Sequence, residues 1–183
     1  MRALVAEGHV GDAAGLAIRG LRQEVLRYLL ATLRDEADAD DAFSHWAEGL
    51  WRGLATFRFE CSLRIWSLRL ATNAAVNVRN AAWRRRVRRF RTGEASAIAA
   101  EIRGSSLFRV EREARELEAL RRSLSVLDQA LLGLRVDRKL SWQEIAQVLS
   151  RSGQGVSAAT ACKRFERLKD RLTQKAREEG LVE

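Results

Sequence analysis

Proline is absent from this 183-residue sequence, and cysteine, histidine, methionine and tyrosine together account for only six positions. A chain without proline has no residue that must break a helix, and good helix formers such as alanine, leucine, arginine and glutamate dominate the composition. Residues branched at Cβ, which favour strands, are sparse. The composition therefore predicts an all-α fold whose helices are joined by short turns of glycine or serine.

The scarcity of cysteine and histidine excludes several kinds of site. Cys61 and Cys162 are too few for a disulfide-rich secreted domain, so we expect a reduced, cytoplasmic protein. His9 and His45 lie far apart, and neither has a cysteine or an acid at metal-ligand spacing, so no metal site is predicted. A glycine-rich phosphate loop, a nucleophile elbow and a convincing acid–base pair are also missing. We therefore predict no cofactor and no enzymatic activity.

Long apolar runs are lacking as well. The longest ones fall far short of the roughly 20 residues that a membrane-spanning helix needs. The first residues do not resemble a secretory signal either, because Glu7, Asp12 and Arg19 interrupt them before an apolar core develops. We expect a soluble protein that does not insert into a membrane.

Acidic residues are missing from one stretch of the chain. Residues 61–91 contain nine arginines and no acid, and six of these arginines lie between Trp83 and Arg91. The net charge is −3 before this stretch and +3 after it, within a total of +9. A solvated helix normally mixes both signs, so the local excess favours contact with nucleic acid over a merely solvated surface. Trp83 and Phe90, set among these arginines, could stack on exposed bases or pack beneath the following segment.

Three amphipathic helices are predicted in the first half of the chain. Their apolar residues recur at helical spacing and are, in order, Leu21, Val25, Leu29 and Leu33; then Phe43, Trp46, Leu50, Leu54 and Phe57; then Leu63, Trp66, Leu70 and Ala74. The acidic segment 34–41 separates the first two helices, and its aspartates are placed to cap the second. The third helix begins near Ser62 and runs directly into the arginine segment.

The composition changes after the arginine segment. Residues 92–109 lose aromatic side chains and gain glycine, serine and alanine, which is typical of a flexible linker. Residues 1–91 and 110–183 are therefore predicted to be two small helical domains. The second begins with a charged helix, "VEREARELEALRRSL".

A helix-turn-helix is predicted between Leu140 and Leu172. Ser141 and Glu144 form a capping box that opens a short helix, "SRSGQG" makes a turn, and Ser157 can cap a second helix. One face of the second helix is apolar, with Ala161, Phe165, Leu168 and Leu172, and the opposite face is basic, with Thr160, Lys163, Arg164, Arg167 and Arg171. This pattern is typical of a recognition helix that enters the major groove of DNA, although a plain helical hairpin with solvated charges stays open.

Two segments resemble a known family. Asp38–Asn73 resembles the second conserved region of extracytoplasmic-function sigma factors, the small bacterial subunits that give RNA polymerase its promoter specificity. The matching positions, without a gap, are Asp40, Asp41, Trp51, Phe57, Arg58, Glu60, Ser62, Leu63, Arg64, Trp66, Arg69, Ala71 and Asn73. Leu124–Ala146 is similar to the fourth region of the same family, again without a gap, with Ser125 where proline is common.

The resemblance implies three sets of binding residues. Core RNA polymerase would be bound by Asp40, Asp41, Trp51 and Arg52. The minus-10 promoter element would be opened and read by Arg58, Ser62, Arg64 and Asn73, with Arg84, Arg85, Arg86, Arg88 and Arg89 on backbone phosphates. The minus-35 element would be bound by Ser157, Thr160, Lys163, Arg164, Arg167 and Arg171. The family also implies an anti-sigma factor as a further partner.

The expected function is therefore that of a sigma factor, which directs core RNA polymerase to promoters and assists initiation. Two alternatives stay open. Ser44 and His45 stand where the family usually has glutamine and glutamate, which suggests a sigma-like regulator or adaptor with weakened or lost polymerase binding. The other alternative is a basic helical protein that binds nucleic acid without sequence preference.

Replacing Arg84, Arg85 and Arg86 together with alanine should weaken binding to all duplex sequences alike. Each lost phosphate contact should flatten the dependence of log affinity on log salt by about 0.9. Fluorescence anisotropy of a labelled duplex, titrated at several salt concentrations, measures this slope. An unchanged slope would mean that these side chains only solvate a helix.

Overall fold

The structure is a computed structural model. It describes residue 5 and residues 7–91, 123–150 and 155–178, and the side chains of residues 85–91 lie outside that description. Within these ranges the chain forms six α-helices and no strand, so the predicted all-α class is confirmed. The helices are α1 (Val10–Leu33), α2 (Glu36–Gly53), α3 (Leu63–Arg91), α4 (Val126–Leu132), α5 (Trp142–Leu149) and α6 (Ala158–Glu178). A 3₁₀ turn, Leu54–Thr56, follows α2, and a π-helical turn, Gly133–Asp137, follows α4.

Only two residues separate α1 from α2. Arg34 ends α1 in the left-handed conformation, with φ of 53°, and its N–H donates to the Leu30 carbonyl. Asp35 then caps α2, because its carboxylate accepts the N–H of Asp38 at 2.8 Å. The predicted aspartate cap is confirmed, but most of the acidic segment expected between the helices lies inside α2.

The amino-terminal unit, α1 to α3, is held together by large side chains whose polar atoms are satisfied. Trp46 of α2 is fully buried, and its Nε1–H donates to Ser67 Oγ of α3 at 3.0 Å. Tyr28 of α1 is also fully buried, and its hydroxyl lies 2.7 Å from Thr72 Oγ1 of α3. A buried polar atom without a partner costs about 1–3 kcal/mol, so these two bonds fix how α1 and α2 sit on α3.

The prediction that Phe57 continues the apolar stripe of α2 is wrong. α2 ends at Gly53, and Leu54 is buried in the 3₁₀ turn that follows. Phe57 comes after that turn in extended backbone and packs on Trp66 of α3, with ring centroids 4.6 Å apart. The stacking of the two rings, rather than helical continuity, determines where Phe57 lies.

The carboxyl-terminal unit, residues 123–178, begins each of its helices with a serine cap. Ser125 caps α4, and Ser141 and Glu144 form the predicted capping box of α5, with Ser141 N–H to Glu144 Oε2 at 2.9 Å. Ser157 caps α6 by accepting the N–H of Thr160 at 3.1 Å. The predicted starts of both helices in the helix-turn-helix are confirmed.

Part of the turn between α5 and α6 is described. Ser150 Oγ donates to the Ala146 carbonyl at 2.7 Å and accepts the N–H of Val156 at 2.9 Å. One hydroxyl therefore ties the end of α5 to the segment that leads into α6. Residues 151–154 of the "SRSGQG" turn lie outside the described residues.

The two units pack against each other. α5 lies against α3, α4 contacts both α1 and α3, and the buried apolar residues of both units belong to one hydrophobic core. The predicted linker, 92–109, and all but the last two residues of the predicted charged helix, 110–124, lie outside the described residues. None of the described helices is long and apolar enough to cross a lipid bilayer.

Two glycine substitutions should change stability in opposite directions. A Cβ on Gly20, in the exposed middle of α1, would meet no atom within 4 Å, so Gly20→Ala should stabilise the protein by about 0.5–1 kcal/mol. A Cβ on Gly53 would lie 3.0 Å from Cζ2 of Trp66, which is held by its stacking on Phe57. Gly53→Ala should therefore destabilise by about 1–3 kcal/mol. Urea unfolding of both variants checks this, and equal effects would contradict the packing described.

Candidate nucleic-acid interface

The exposed face of α2 carries the residues predicted to bind core RNA polymerase. The buried residues of this helix are Ala39, Ala42, Trp46 and Leu50. The opposite face presents Asp40, Asp41, Ser44, His45, Glu48, Trp51 and Arg52, all of them exposed. The structure thus brings the four predicted residues together on one acidic surface with a tryptophan at its end.

The contacts within this acidic surface are local. Arg52 Nη2 lies 2.6 Å from Glu48 Oε1, one turn away on the same helix. Ser44 Oγ donates to the Asp40 backbone carbonyl at 3.1 Å. Trp51 is 52% exposed, which is unusual for so large an apolar side chain. A surface with free carboxylates and one uncovered indole is suited to a protein partner.

A groove of about 460 Å³ lies between the end of α2, the segment 57–62 and the start of α3. Phe57 and Trp66, stacked with an interplanar angle of 21°, form its aromatic wall. Arg58 and Arg69 also line it. Glu60 lines the groove as well, and its Oε1 lies 4.0 Å from Arg58 Nη1, so two guanidinium groups and one carboxylate stand beside the aromatic wall.

The segment that forms this groove has an unusual backbone. Phe59 has φ of 56°, in the left-handed region that residues other than glycine rarely adopt. Its ring lies 4.6 Å from that of Phe57. Ser62 then caps α3, because its Oγ accepts the N–H of Ile65 at 3.2 Å. Ser62, a predicted minus-10 residue, therefore uses its hydroxyl to begin the helix, while Arg58 is exposed at the groove.

A polar stripe continues from the groove along α3. Its residues are Arg69, Asn73, Asn77, Asn80 and Arg84, which at 100° per residue fall within an arc of about 80°. The stripe extends about 22 Å, and its last three residues are exposed. It links the groove to the arginine segment, whose backbone continues α3 as predicted, to Arg91.

Only part of this surface was predicted from the sequence. Asn73 and Arg84 were predicted, whereas Asn77 and Asn80 were missed, although helical spacing from Asn73 would have found them. The side chains of the predicted Arg85, Arg86, Arg88 and Arg89 lie outside the described residues. Trp83 is 65% exposed and so does not pack beneath any described segment.

Arg64 does not join the groove or the stripe. Its guanidinium is paired with Glu24 of α1, with Nη2 to Oε1 at 2.7 Å and Nε to Oε1 at 2.8 Å. Bonding to Glu24 raises the pKa of Arg64 above its usual value. The structure thus separates this residue from the other predicted minus-10 residues and places it beside the contact between the two units.

Arg138 lies at the centre of that contact. Only 13% of its side chain is exposed, and its guanidinium sits over the Tyr28 ring at 4.8 Å from the centroid. Nη2 donates to the Glu24 backbone carbonyl at 3.3 Å. Burial lowers the pKa of Arg138, and the cation–π and carbonyl contacts compensate for part of the lost hydration.

The outer face of α6 presents most of the predicted minus-35 residues. Thr160, Lys163 and Arg167 are exposed, while Ser157 is engaged as the cap. On the other side of the helix, Ala161 and Leu168 are buried, and Phe165 packs on Trp142 of α5 with centroids 5.5 Å apart. The predicted division of α6 into an apolar and a polar face is confirmed.

Arg164 and Arg171 are exceptions on that polar face. Both bond to Asp128 of α4, which is 6% exposed. Burial disfavours the charged carboxylate, but hydrogen bonds from Ser125, Arg164 and Arg171 outweigh it and hold the pKa of Asp128 below its usual value. Arg164 was predicted to face the DNA, and in the structure its guanidinium instead points toward α4.

The described residues offer no group of three or more histidine, cysteine or acidic side chains placed to hold a metal ion. A scan against protein-family models and a search of curated proteins both find no match to this chain.

Tyr28 is the only tyrosine in the chain, and burial raises its pKa to about 12. Because an unfolded tyrosine ionises near pH 10.0, the stability that depends on a neutral Tyr28 is complete below that pH. It is lost as pH rises from about 10 to about 12. Phenolate absorbance, followed with circular dichroism, should show no ionisation near pH 10 in the folded protein. Tyr28→Phe, which has no tyrosine, gives the background absorbance. Ionisation near pH 10 before any unfolding would contradict the buried contact.

Proposed function

We propose that the protein is a sigma factor that directs core RNA polymerase to specific promoters and assists the start of transcription. The observation that carries the proposal is the groove at Phe57 and Trp66 together with the polar stripe that leads from it along α3. Single-stranded DNA is bound by aromatic side chains beside positively charged ones. The groove holds the half-buried Phe57 next to Arg58 and Arg69, and Arg84 lies at the far end of the stripe. The resemblance to the sigma family assigns this same part of the chain to the minus-10 element.

The distribution of charge supports two different partners for α2 and α3. The exposed face of α2 is acidic, whereas residues 61–91, which include all of α3, contain no acid. A polyanion would be repelled by the first surface and attracted by the second. We therefore assign the α2 face to core RNA polymerase and the α3 stripe to the opened promoter strand.

The helix-turn-helix supplies the third element of the proposal. α5 and α6 are both capped, and α6 exposes Thr160, Lys163 and Arg167 on the face opposite its apolar stripe. A helix built in this way can lie in a major groove, and we assign it to the minus-35 element. The proposal includes a cytoplasmic location and, from the family resemblance, an anti-sigma factor as a partner.

A second candidate function is a sigma-like regulator or adaptor that has lost productive polymerase binding. The observation that favours it is the exposure of Ser44 and His45 in the middle of the acidic surface of α2. These two residues lie between Asp41 and Glu48 and carry no negative charge. Such a surface would hold a basic partner more weakly.

Binding to purified core RNA polymerase tests the proposal. Wild-type protein should form a complex that is stable to size exclusion at micromolar concentration. Asp40→Lys with Asp41→Lys should weaken it at least about tenfold, or about 1.4 kcal/mol, without changing thermal stability, because both side chains are exposed.

The matched control is Glu166→Lys with Asp170→Lys, which makes the same charge change at two exposed acids of α6. This variant should bind core RNA polymerase as the wild type does. If wild-type protein forms no complex with core RNA polymerase, the sigma-factor proposal is wrong and the regulator takes its place. Binding selection on random duplexes would then separate a regulator, which enriches a motif, from a non-specific binder, which does not.

A further inference from the structure

Asp128 is a buried carboxylate that links two helices distant in sequence. It lies in the first turn of α4, and its backbone N–H donates to Ser125 Oγ at 3.1 Å. Its Oδ1 accepts Nε of Arg164 at 3.1 Å and Nη2 of the same guanidinium at 2.9 Å. Its Oδ2 accepts Nη2 of Arg171 at 3.0 Å. Three N–H groups from α6 thus converge on one carboxylate.

This arrangement resembles the way in which arginine holds a phosphate. Asp128 Oδ1 accepts two charge-assisted hydrogen bonds from Arg164, and Oδ2 accepts one from Arg171. Because Arg164 and Arg171 are seven residues apart, they lie on the same side of α6, about two turns from each other. The carboxylate therefore occupies two guanidinium groups whose charge and hydrogen bonds would otherwise suit a phosphate.

Position around the helix axis divides the polar residues of α6 into two groups. Arg164 and Arg171 lie nearer the apolar stripe, within reach of α4. Arg164 is half-buried, whereas Arg171 is 61% exposed and bonds to Asp128 through one nitrogen. Lys163 and Arg167 lie farther around the helix and are exposed. The two groups differ in whether their side chains lie within reach of Asp128.

We propose that Asp128 is a positioning residue that determines which side chains of α6 contact DNA. Its carboxylate binds Arg164 and Arg171 in place of a phosphate, so these two side chains do not contact the duplex. Thr160, Lys163 and Arg167 remain to meet the DNA. This inference rests on the proposed function of α6.

The test is the salt dependence of affinity of the full chain for a labelled random-sequence duplex. In the wild type, Lys163→Ala should flatten the log-log slope by about 0.9, whereas Arg164→Ala should change it by much less. Asp128→Asn, which keeps the shape but removes the charge, should steepen the slope by about 0.9–1.8 as one or two arginines become available. In the Asp128→Asn background, Arg164→Ala should then flatten the slope by about 0.9.

Asp12→Asn is the matched control, because it removes one carboxylate charge from an exposed site on α1 and should leave the slope unchanged. If circular dichroism shows that Asp128→Asn does not fold, the salt slope of Arg164→Ala in the wild-type background is the remaining test of the inference. A loss of about 0.9 in the slope would overturn the inference, because Arg164 would then contact DNA despite Asp128.

Failure of the proposed function has a different signature. If Lys163→Ala leaves the slope unchanged in both the wild-type and the Asp128→Asn backgrounds, α6 does not contact DNA, and both proposals for this helix fall. If Lys163→Ala and Arg164→Ala flatten the slope equally in both backgrounds, α6 contacts DNA and only the role of Asp128 is wrong.

Discussion

The burial of α3 among four other helices is the interaction on which the rest of the described structure depends. α1, α2, α4 and α5 all pack on this helix. Trp46 and Tyr28 anchor α2 and α1 to it through hydrogen bonds to Ser67 and Thr72, and Arg138 brings the carboxyl-terminal unit against Tyr28. Between Ile65 and Val78 the buried residues of α3 surround most of its axis, and only a narrow arc with Arg69, Asn73 and Asn77 stays uncovered. The groove and the polar stripe lie along that arc.

Local signals in the sequence predicted much of this fold. The capping box at Ser141 and the cap at Ser157 depend on residues three positions away, so they can be read from the sequence alone. The beginning of α1 was not predicted, because its buried residues Ala13, Ala14 and Ala17 are too small to stand out in an apolar pattern. Phe57 was assigned to the wrong element, because its position depends on a ring of another helix.

The site was predicted less completely for the same reason. Arg64 and Arg164 were expected to face DNA, but their partners, Glu24 and Asp128, lie 40 and 36 positions away in the sequence. No local pattern reveals such pairs. The two acids also show that net charge overstates how many cations this protein can offer to a polyanion.

The proposed start of transcription at specific promoters is tested most directly by mixing purified protein with core RNA polymerase and a supercoiled genomic library. The 5′ ends of the transcripts are then sequenced. A sigma factor should give start sites that appear only when the protein is present and that share two upstream elements at constant spacing. Transcript ends that are the same with and without the folded protein would contradict the proposal.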